Sequence, residues 1–387
     1  MLLRDARLLS GGEERVGDLR VEGDRIEAVG DLDPWSDEQC VDLDGRTLVP
    51  GLVDAHVHFS LSGETSVESV VGVSEAELAL VEARNARKTL LSGVTGVRSM
   101  GALGVDLHLK RAVDRGDIRG PRMVANDRSI TITGGHGPHL GREIDGPVDA
   151  RKAVREQVKR GADFIKFMTT GGVTTPGTDP DTVALTDDEL DALVDETHRH
   201  GLHAATHVHG AEGAKAAAMA GVDTIEHGTF LDDEAIELLV AEDVTLVPTL
   251  SAPYYIVRNV EWATPDSARK TEDIYERHID SFRRAVDAGV RIAGGTDAGT
   301  PFNAHGANAS EVTFMIEHGL SPQGALRAMT ETAAEAVGLD GCGTLEPGTY
   351  ADLLVIAGDP LTDSTRLNDP EVVIHGGEVV AGILPPD

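Results

Sequence analysis

Thiol groups are almost absent from this chain, which contains only Cys40 and Cys342 among its 387 residues. Two cysteines cannot supply a disulfide framework, and they cannot build a cysteine-rich zinc motif. We therefore interpret both residues as small buried or free thiols without a functional role.

Aromatic side chains are also scarce, at 3% of the residues, whereas apolar residues reach 40%. A large core is therefore possible, and it must be built from valine, leucine, isoleucine and alanine. No stretch approaches the ~20 apolar residues that a transmembrane helix needs. The first residues lack the apolar run and the cleavage site of a signal peptide. These absences predict a cytoplasmic protein with no membrane partner.

Basic residues are few, and lysine is the rarer kind, with seven lysines against 27 arginines. The 66 acidic residues outnumber the 34 basic ones, which gives a formal net charge of -32. Such a field repels nucleic acid and anionic membrane surfaces, so neither is an expected partner. An acidic, lysine-poor surface suits concentrated salt, where screening weakens self-repulsion. We therefore hypothesise a salt-loving source.

The chain exceeds one average domain, but its length fits a (β/α)8 TIM-type barrel of roughly 250 residues with a smaller second unit. Residues 1–50 show short apolar stretches broken by turn signals such as Gly11-Gly12, and residues 344–387 have the same texture. We predict that both termini form a small discontinuous β-sandwich domain. The barrel would then occupy residues 51–343.

The middle of the chain alternates short apolar runs with helical patterns, such as those at 149–161 and 187–200. Strands interleaved with helices fit a barrel better than an open sheet. No Gly-x-Gly-x-x-Gly and no phosphate-binding loop follows the first strand, which argues against a nucleotide fold. The predicted strands span residues 53–58, 94–99, 122–126, 163–168, 203–207, 224–227, 245–248 and 291–296.

The first predicted barrel strand ends in a His-x-His motif formed by His56 and His58. Residues two apart on a strand point to the same side, and at the end of a parallel barrel that side is the interior. The two imidazoles should therefore converge on one point. A half-buried strand could also carry two histidines by chance, but the residues downstream favour a metal site.

Further candidate ligands lie at the ends of later strands. His207 ends the fifth strand with His209 two residues beyond it, His227 ends the sixth, and Asp297 ends the eighth. A single residue in such a position is often a hydrogen-bonded core histidine or a helix cap. Together they favour a metal site, because imidazole is the usual zinc ligand and barrel enzymes place their chemistry at the carboxyl ends of strands. The spacing does not decide which of His207 and His209 would bind a metal.

Lys166 lies in the fourth predicted strand, among very apolar neighbours. Burying an ammonium group there without compensation is costly. The lysine could pair with a nearby acid, or it could point outward. Its place between His-x-His and the later histidines favours another interpretation, in which the neutral amine takes up carbon dioxide. The resulting carbamate would be an anionic ligand with two oxygens, able to bridge two metals.

These motifs together resemble the amidohydrolase superfamily of metal-dependent hydrolases, and the resemblance covers nearly the whole chain. More narrowly, the sequence is similar to the imidazolonepropionase-related branch that contains Xaa-Pro and Xaa-Arg/Lys dipeptidases with a carboxylated lysine. The segments that carry this resemblance are PGLVDAHVH (50–58), GGHG (134–137), IK (165–166), HVHG (207–210), IEHGT (225–229) and GTD (295–297).

The resemblance implies a centre of two divalent metal ions, expected to be zinc. His56, His58 and Asp297 would hold one ion, and His207 and His227 would hold the other. Carboxylated Lys166 and a hydroxide would bridge them, and the hydroxide would attack the substrate.

The resemblance also assigns roles in substrate turnover. Asp297 would accept the proton of the water and pass it to the leaving amine. His136, which would otherwise be a solvated loop residue, would donate to the carbonyl oxygen as negative charge develops. His209 would contact the substrate.

Other substrate contacts are less defined by the sequence. Tyr254 and Tyr255 follow the seventh strand and are candidates to line the pocket, although tyrosines near a barrel end are as often plain packing residues. The candidates to neutralise a substrate carboxylate are Arg98, Arg128 and Arg142. Relatives often form large assemblies, so we expect a homo-oligomer.

The leading functional hypothesis is a binuclear zinc hydrolase that cleaves an amide bond in dipeptides or N-acyl amino acids. A cyclic-amide hydrolase resembling imidazolonepropionase is the close alternative, although that family carries an acidic pair after the strand-five histidine and this chain reads HVHGAE. Mononuclear deaminases lack the bridging lysine and place a glutamate where this chain has Gly210. A metal-containing barrel without turnover is a further alternative, but the presence of Asp297 argues against it.

The charge pattern makes the first testable prediction. We expect the melting temperature to rise by several degrees from low salt to molar KCl, because screening reduces repulsion between the many carboxylates. Thermal unfolding followed by circular dichroism across a KCl series measures this. An unchanged melting temperature would rule out adaptation of the surface to salt.

Overall fold

The computed structural model describes residues 1–385, apart from the side chains of residues 272 and 273. In chain order its strands are β1 (Leu2–Ser10), β2 (Glu13–Glu22), β3 (Arg25–Gly30), β4 (Cys40–Asp42), β5 (Thr47–Pro50), β6 (Leu52–Val57), β7 (Val94–Ser99), β8 (Arg122–Ala125), β9 (Ile130–Ile132), β10 (Arg142–Ile144), β11 (Phe164–Met168), β12 (His203–Gly210), β13 (Thr224–Phe230), β14 (Thr245–Val247), β15 (Leu353–Ile356), β16 (Val372–His375) and β17 (Glu378–Gly382).

The helices alternate with the strands of the middle region. They are α1 (Glu75–Leu91), α2 (Asp106–Asp114), α3 (Pro147–Arg160), α4 (Asp187–Arg199), α5 (Ala211–Ala220), α6 (Asp233–Ala241), α7 (Ser251–Arg258), α8 (Pro265–Asp287), α9 (Ser310–Glu317), α10 (Pro322–Ala328) and α11 (Glu331–Val337). Short 3-10 helices span Val67–Val70, Val260–Trp262 and Ser364–Asn368.

Strands from both ends of the chain share one sheet. Its order is β17-β16-β15-β5-β1-β2-β3, and β4 pairs with β1. The two halves meet where β5 pairs antiparallel with β15, with Leu48 opposite Val355. Leucine, isoleucine and valine side chains of this sheet form a separate buried cluster. The predicted pairing of the termini is therefore present, and its division into two sandwich layers stays a prediction.

The middle region contains two parallel sheets. One has the order β6-β7-β8, and the other has the order β10-β9-β11-β12-β13-β14. Seven of the strands predicted from the sequence lie at these positions, within a few residues at each end. The short strands β9 and β10 were not predicted. They flank the loop that carries His136.

The eighth predicted strand, residues 291–296, is not assigned as a strand. Its backbone is nevertheless bonded on both sides. Ala293 N–H donates to Leu246 O in β14 at 3.0 Å, and Ala55 N–H in β6 donates to Gly294 O at 2.9 Å. The segment thus lies between the last and the first parallel strand. This contact places Asp297 beside the His-x-His motif.

The helix boundaries follow the local signals. The predicted helix at 187–200 is α4, and Thr186 and Glu189 form a capping box at its first turn. The predicted helix at 149–161 is α3, which ends at Gly161 in the left-handed conformation that favours glycine. Among the described residues, no helix combines the length and the apolar character needed to cross a bilayer.

The close approach of the eighth segment to its neighbours yields a stability prediction. A Cβ on Gly295 would lie 2.5 Å from Val247 Cγ1 and 3.0 Å from His56 Cβ. We expect Gly295→Ala to lower the free energy of unfolding by about 1–3 kcal/mol, because the packed neighbours must move. Urea unfolding measures the change.

Gly324→Ala is the matched control, since Gly324 lies within α10 and its new Cβ would meet only Ser321 Oγ and a leucine side chain at 3.0 Å or more. We expect this control to be neutral or to gain up to about 1 kcal/mol from helix propensity. Equal stability of the Gly295→Ala and parent proteins would contradict the packing argument.

Candidate metal centre and active site

A cavity opens where the parallel strands end, and it contains about 950 Å3 of empty space including its entrance. All the predicted metal ligands line it, together with His136 and His209. Sequence reasoning did not include His278, which also lies in this lining. The residues with metal-binding or acid-base chemistry in the lining are His56, His58, His136, Lys166, His207, His209, His227, His278 and Asp297.

Asp297 follows the last strand position of the middle region and lies against the two histidines at the end of the first parallel strand. Its Oδ1 lies 3.3 Å from His56 Nε2 and 3.2 Å from His58 Nε2. Donor atoms of His56, His227 and Asp297 all lie within 4.8 Å of one another. Burial would raise the pKa of Asp297, but the imidazoles of His56 and His58 outweigh it and hold the pKa below its usual range. The carboxylate is therefore ionised, as a metal ligand must be.

Two of these residues adopt the left-handed backbone conformation, with φ of 72° at His227 and 59° at Asp297. Non-glycine residues rarely do so, and the strain costs on the order of 1–3 kcal/mol each. Both residues sit where a strand turns into a loop. Such strain persists only when the surroundings impose it, and it concentrates at functional sites.

Neighbouring groups select the ring nitrogens that face the centre. His207 Nε2 lies 3.1 Å from Gly171 O, and a carbonyl only accepts, so Nδ1 keeps the free lone pair. His227 Nδ1 is hydrogen-bonded to Thr249 Oγ1 at 2.7 Å, and when Nδ1 is the donor in this bond its Nε2 keeps the free lone pair. Burial lowers the pKa of both imidazoles well below the ordinary value, and neighbouring histidines add to the effect. Both rings are therefore neutral and able to bind a metal.

His136 and His209 lie against His207 on different sides. The His136 ring stacks on the His207 ring with centroids 4.5 Å apart, and the His209 ring meets it edge-on at the same distance. Burial lowers the pKa of His136 to about 3. His209 Nδ1 is bonded to Thr229 Oγ1 at 2.7 Å. Both histidines are thus neutral cavity residues next to a candidate ligand.

Lys166 is 1% exposed, and its Nζ has no hydrogen-bond partner among the described residues. Burial lowers the pKa of the ammonium group to about 8, although the carboxylate of Glu226 opposes the shift. The alternative of a lysine paired directly with an acid is therefore not observed. An unpartnered amine among metal-ligand side chains is a group in need of a further partner.

Glu226 orients His56 and was missed by the sequence analysis. Its Oε2 accepts from His56 Nδ1 at 2.7 Å, and its Oε1 accepts from Arg98 Nη2 at 2.7 Å. Burial would raise the pKa of Glu226, but Arg98, Lys166 and His56 outweigh it and hold the pKa at about 2. A carboxylate that receives Nδ1–H leaves Nε2 free for a metal. The available signal was an acidic residue inside an apolar strand, directly before His227.

This arrangement corrects the expectation for Arg98. Its guanidinium is 1% exposed and donates to Ala55 O at 2.7 Å and to Thr224 Oγ1 at 2.9 Å in addition to Glu226. Every one of these acceptors belongs to the protein interior. Arg98 is therefore a structural partner of Glu226 and is not free for a substrate carboxylate.

The remaining arginine and tyrosine candidates lie outside the cavity lining. Arg142 pairs with Asp149 at 2.7 Å, and Arg128 Nη2 donates to Leu103 O at 3.3 Å. The Tyr254 ring packs on the Phe314 ring with centroids 4.4 Å apart. Tyr255 likewise packs against the core beside Tyr254. None of these side chains is part of the lining, and for the two tyrosines the reason is that α7 turns Ala252, Pro253 and Ile256 toward the cavity.

A second buried carboxylate, Glu311, supports the start of α7. It is fully buried and accepts from the backbone N–H groups of Leu250 and Ser251 at 2.7 and 2.9 Å. These residues directly follow Thr249, which bonds His227 and has a φ of 51°. Burial raises the pKa of Glu311 to about 8. No local sequence pattern identifies this contact, since α9 and α7 are distant in the chain.

The wall around these polar groups is largely apolar, and Lys166 is the only lysine or arginine within it among the described residues. A substrate would therefore bury apolar groups here while its reacting bond faces the histidines. The apolar side chains of this wall are Leu61, Val67, Leu140, Met168, Val173, Ala252, Pro253, Ile256 and Ile274.

Several known proteins resemble this chain over most of its length. Ochratoxinase of Aspergillus niger is 30% identical over 369 residues, which cover 87% of this chain and 76% of the ochratoxinase. The crystal structure of a Xaa-Pro dipeptidase with bound methionine in the active site superimposes with a TM-score of 0.93 at 33% identity, covering 98% of this chain and 99% of the dipeptidase.

Imidazolonepropionase of Streptomyces coelicolor is 25% identical over 370 residues, which cover 87% of this chain and 84% of that enzyme. The amidohydrolase family pattern matches residues 47–383, which include every candidate ligand. The resemblance seen in the sequence is thereby confirmed. The chain belongs to the amidohydrolase family.

Proposed function

We propose that this protein is a binuclear metal-dependent hydrolase that cleaves an amide bond in dipeptides or N-acyl amino acids. The observation that carries the proposal is that five candidate ligands line the same cavity as Lys166, which is buried and has no hydrogen-bond partner in the described part of the chain. An architecture of a closed (β/α)8 barrel with a terminal β-sandwich belongs to the same proposal. The bonds of Gly294 and Ala293 to the strands on both sides support it.

The donor set fits two divalent ions, expected to be zinc. Imidazole nitrogens and carboxylate oxygens are zinc ligands, and Asp297 Oδ1 lacks a partner with hydrogen-bond geometry. His56, His58 and Asp297 would hold one ion, and His207 and His227 the other. When bound, the ions would lower the pKa of the attacking water and polarise the scissile carbonyl.

Lys166 would complete the centre as a carbamate. Its neutral amine attacks the carbon of carbon dioxide, an N–C bond forms, and the nitrogen releases one proton. The product carries a single negative charge on two oxygens. Burial supports this step, because it favours the neutral amine that reacts. The anionic product would also offset the charge of the ions.

Two side chains would move or hold protons in the reaction. Water adds to the carbonyl carbon while Asp297 accepts its proton, and His136 donates to the carbonyl oxygen as negative charge develops. The C–N bond then breaks, and Asp297 passes the proton to the leaving nitrogen. The products are a carboxylic acid and an amine. His209 would contact the substrate beside the reacting bond.

The cavity wall supports a substrate with apolar groups next to the amide bond. The dipeptidase relative was crystallised with bound methionine, which is also an apolar amino acid. A cyclic amide is the second candidate, because imidazolonepropionase is among the relatives. The segment HVHGAE after the fifth strand lacks the acidic pair of that family and favours the linear amide.

The lysine carbamate makes a direct prediction. The parent protein should bind about two zinc ions per chain and hydrolyse members of a panel of dipeptides, N-acyl amino acids and imidazolone propionate. Lys166→Ala should abolish hydrolysis and lower the metal content, because a residue that would hold the ions is gone. Short carboxylic acids should restore part of the activity by replacing the carbamate. Metal analysis measures the metal content, and mass spectrometry of the products measures hydrolysis of each substrate.

Lys152→Ala is the control, since Lys152 is exposed and pairs only with Glu156. This variant should match the parent in metal content and rate. Full activity of Lys166→Ala would contradict the carbamate. Hydrolysis confined to imidazolone propionate would instead identify the cyclic-amide alternative.

The apolar wall makes a specificity prediction. Ile256 lies in α7, is 4% exposed and lines the cavity. We expect Ile256→Ala to lower kcat/KM about tenfold or more for substrates with leucine or phenylalanine, and to change it little for glycine substrates. Val240→Ala, which truncates an exposed side chain in α6, is the control. An equal loss for glycine and leucine substrates would show that Ile256 does not select the side chain.

A further inference from the structure

Lys270 is a second buried lysine, and it lies outside the metal centre. It belongs to α8 and is 6% exposed. Its Nζ donates to Gly172 O at 3.2 Å and to Thr175 O at 2.9 Å, and it lies 2.9 Å from Asp266 Oδ2. Its two hydrogen-bond acceptors are therefore backbone carbonyls in one short loop after β11, and Asp266 adds an ion pair.

The loop residues whose carbonyls accept hydrogen bonds from Lys270 also contact His136. Thr175 Oγ1 lies 2.8 Å from His136 Nδ1 and accepts from Gly137 N–H at 3.0 Å. A Cβ on Gly172 would lie 2.3 Å from the His136 ring, so the backbone there fits directly against the imidazole. The loop at 171–175 thus packs directly against His136.

This loop also bears on the tautomer of His136. Thr175 Oγ1 accepts from Gly137 N–H, and its own hydrogen can be donated to His136 Nδ1. When Nδ1 accepts that hydrogen, the ring hydrogen sits on Nε2. An N–H at Nε2 is the group that a donor to a developing oxyanion needs.

Lys270 also connects this loop to the cavity wall. The next residues on the same side of α8, Thr271, Ile274 and His278, line the cavity. His278 Nε2 in turn donates to His227 O at 3.0 Å. The ammonium group therefore links the helix that covers the site to the loop that holds His136. The two carbonyls and the Asp266 carboxylate compensate the burial of its charge.

We propose that Lys270 is a positioning residue that holds the loop at 171–175 so that His136 presents its Nε2–H to the carbonyl oxygen of the substrate. This inference rests on the proposed function, since it assigns His136 a role in amide hydrolysis. Lys270 itself does not touch the reacting atoms. If Lys270 only anchored α8, its replacement would lower the stability of the protein without an effect that depends on His136.

A double-mutant cycle distinguishes these two roles. Lys270→Met keeps most of the side-chain volume and removes the donor. We expect it to lower kcat about 10- to 100-fold with little change in KM or in the zinc content, because a misplaced oxyanion donor costs mainly transition-state stabilisation. In the His136→Ala background the same substitution should lower kcat less than threefold.

Thr175→Val provides a second background in case His136→Ala has no measurable rate. It removes the hydroxyl between the loop and His136 Nδ1, so Lys270→Met should again add little to it. Lys270→Arg keeps a cationic donor and should recover part of the rate. Lys215→Met is the matched control, because Lys215 is 9% exposed and also has three partners, all of them carboxylates outside the cavity lining. Its kcat should equal that of the parent.

The proposal is supported if the loss of kcat in the parent background exceeds the loss in the mutant background by threefold or more. It is overturned if the two losses agree within threefold, or if Lys270→Met loses zinc as well as rate. A parent protein that binds zinc but hydrolyses no amide would contradict the proposed function itself, and the role of Lys270 with it.

Discussion

Exclusion of water from the carboxyl ends of the parallel strands is the constraint on which the site depends. Lys166 and His56 are each 1% exposed, and His207 and His227 are 6% and 7% exposed. In water the lysine would be an ammonium group with no lone pair to offer. Burial lowers the pKa of Lys166, which raises its share of neutral amine, and it keeps the imidazoles of His207 and His227 neutral. The same constraint makes every remaining charge in this region costly unless it is compensated.

Glu226 is one such charge. The groups that compensate it connect a candidate metal ligand to the surrounding strands. The carboxylate contacts Arg98 from β7 and His56 at the end of β6, and Arg98 also bonds Ala55 O. Removing one member of such a buried pair costs about 3–5 kcal/mol, because the other charge is left alone. The orientation of a candidate metal ligand is therefore coupled to contacts between three strands. The strained backbone at His227 and Asp297 is maintained by the same dense surroundings.

The sequence could predict those parts of the site that depend on the spacing of neighbouring residues along one strand or on a local sequence signal. His56 and His58 are two residues apart on a strand, so their convergence follows from strand geometry, and the strand ends carrying His207, His227 and Asp297 follow from apolar runs. Partners distant in the chain have no such signal. Glu311 supports the loop beside His227 from a helix about sixty residues away, and Lys270 reaches its loop across 95 residues. The direction of the Tyr254 side chain also has no local signal, because proximity to a strand end does not set which way a helix faces.

The shared terminal sheet imposes an order on how the chain can assemble. Thr47 Oγ1 donates to Gly358 O across 311 residues of sequence, and β5 finds its partner β15 only near the end of the chain. During synthesis from the amino terminus, one edge of β5 therefore stays unpaired while the helices and parallel strands emerge. The first candidate ligands follow β5 directly. All the candidate ligands are thus synthesised before the strand that covers this edge of β5, and until β15 pairs with it the edge is open to pairing with another copy.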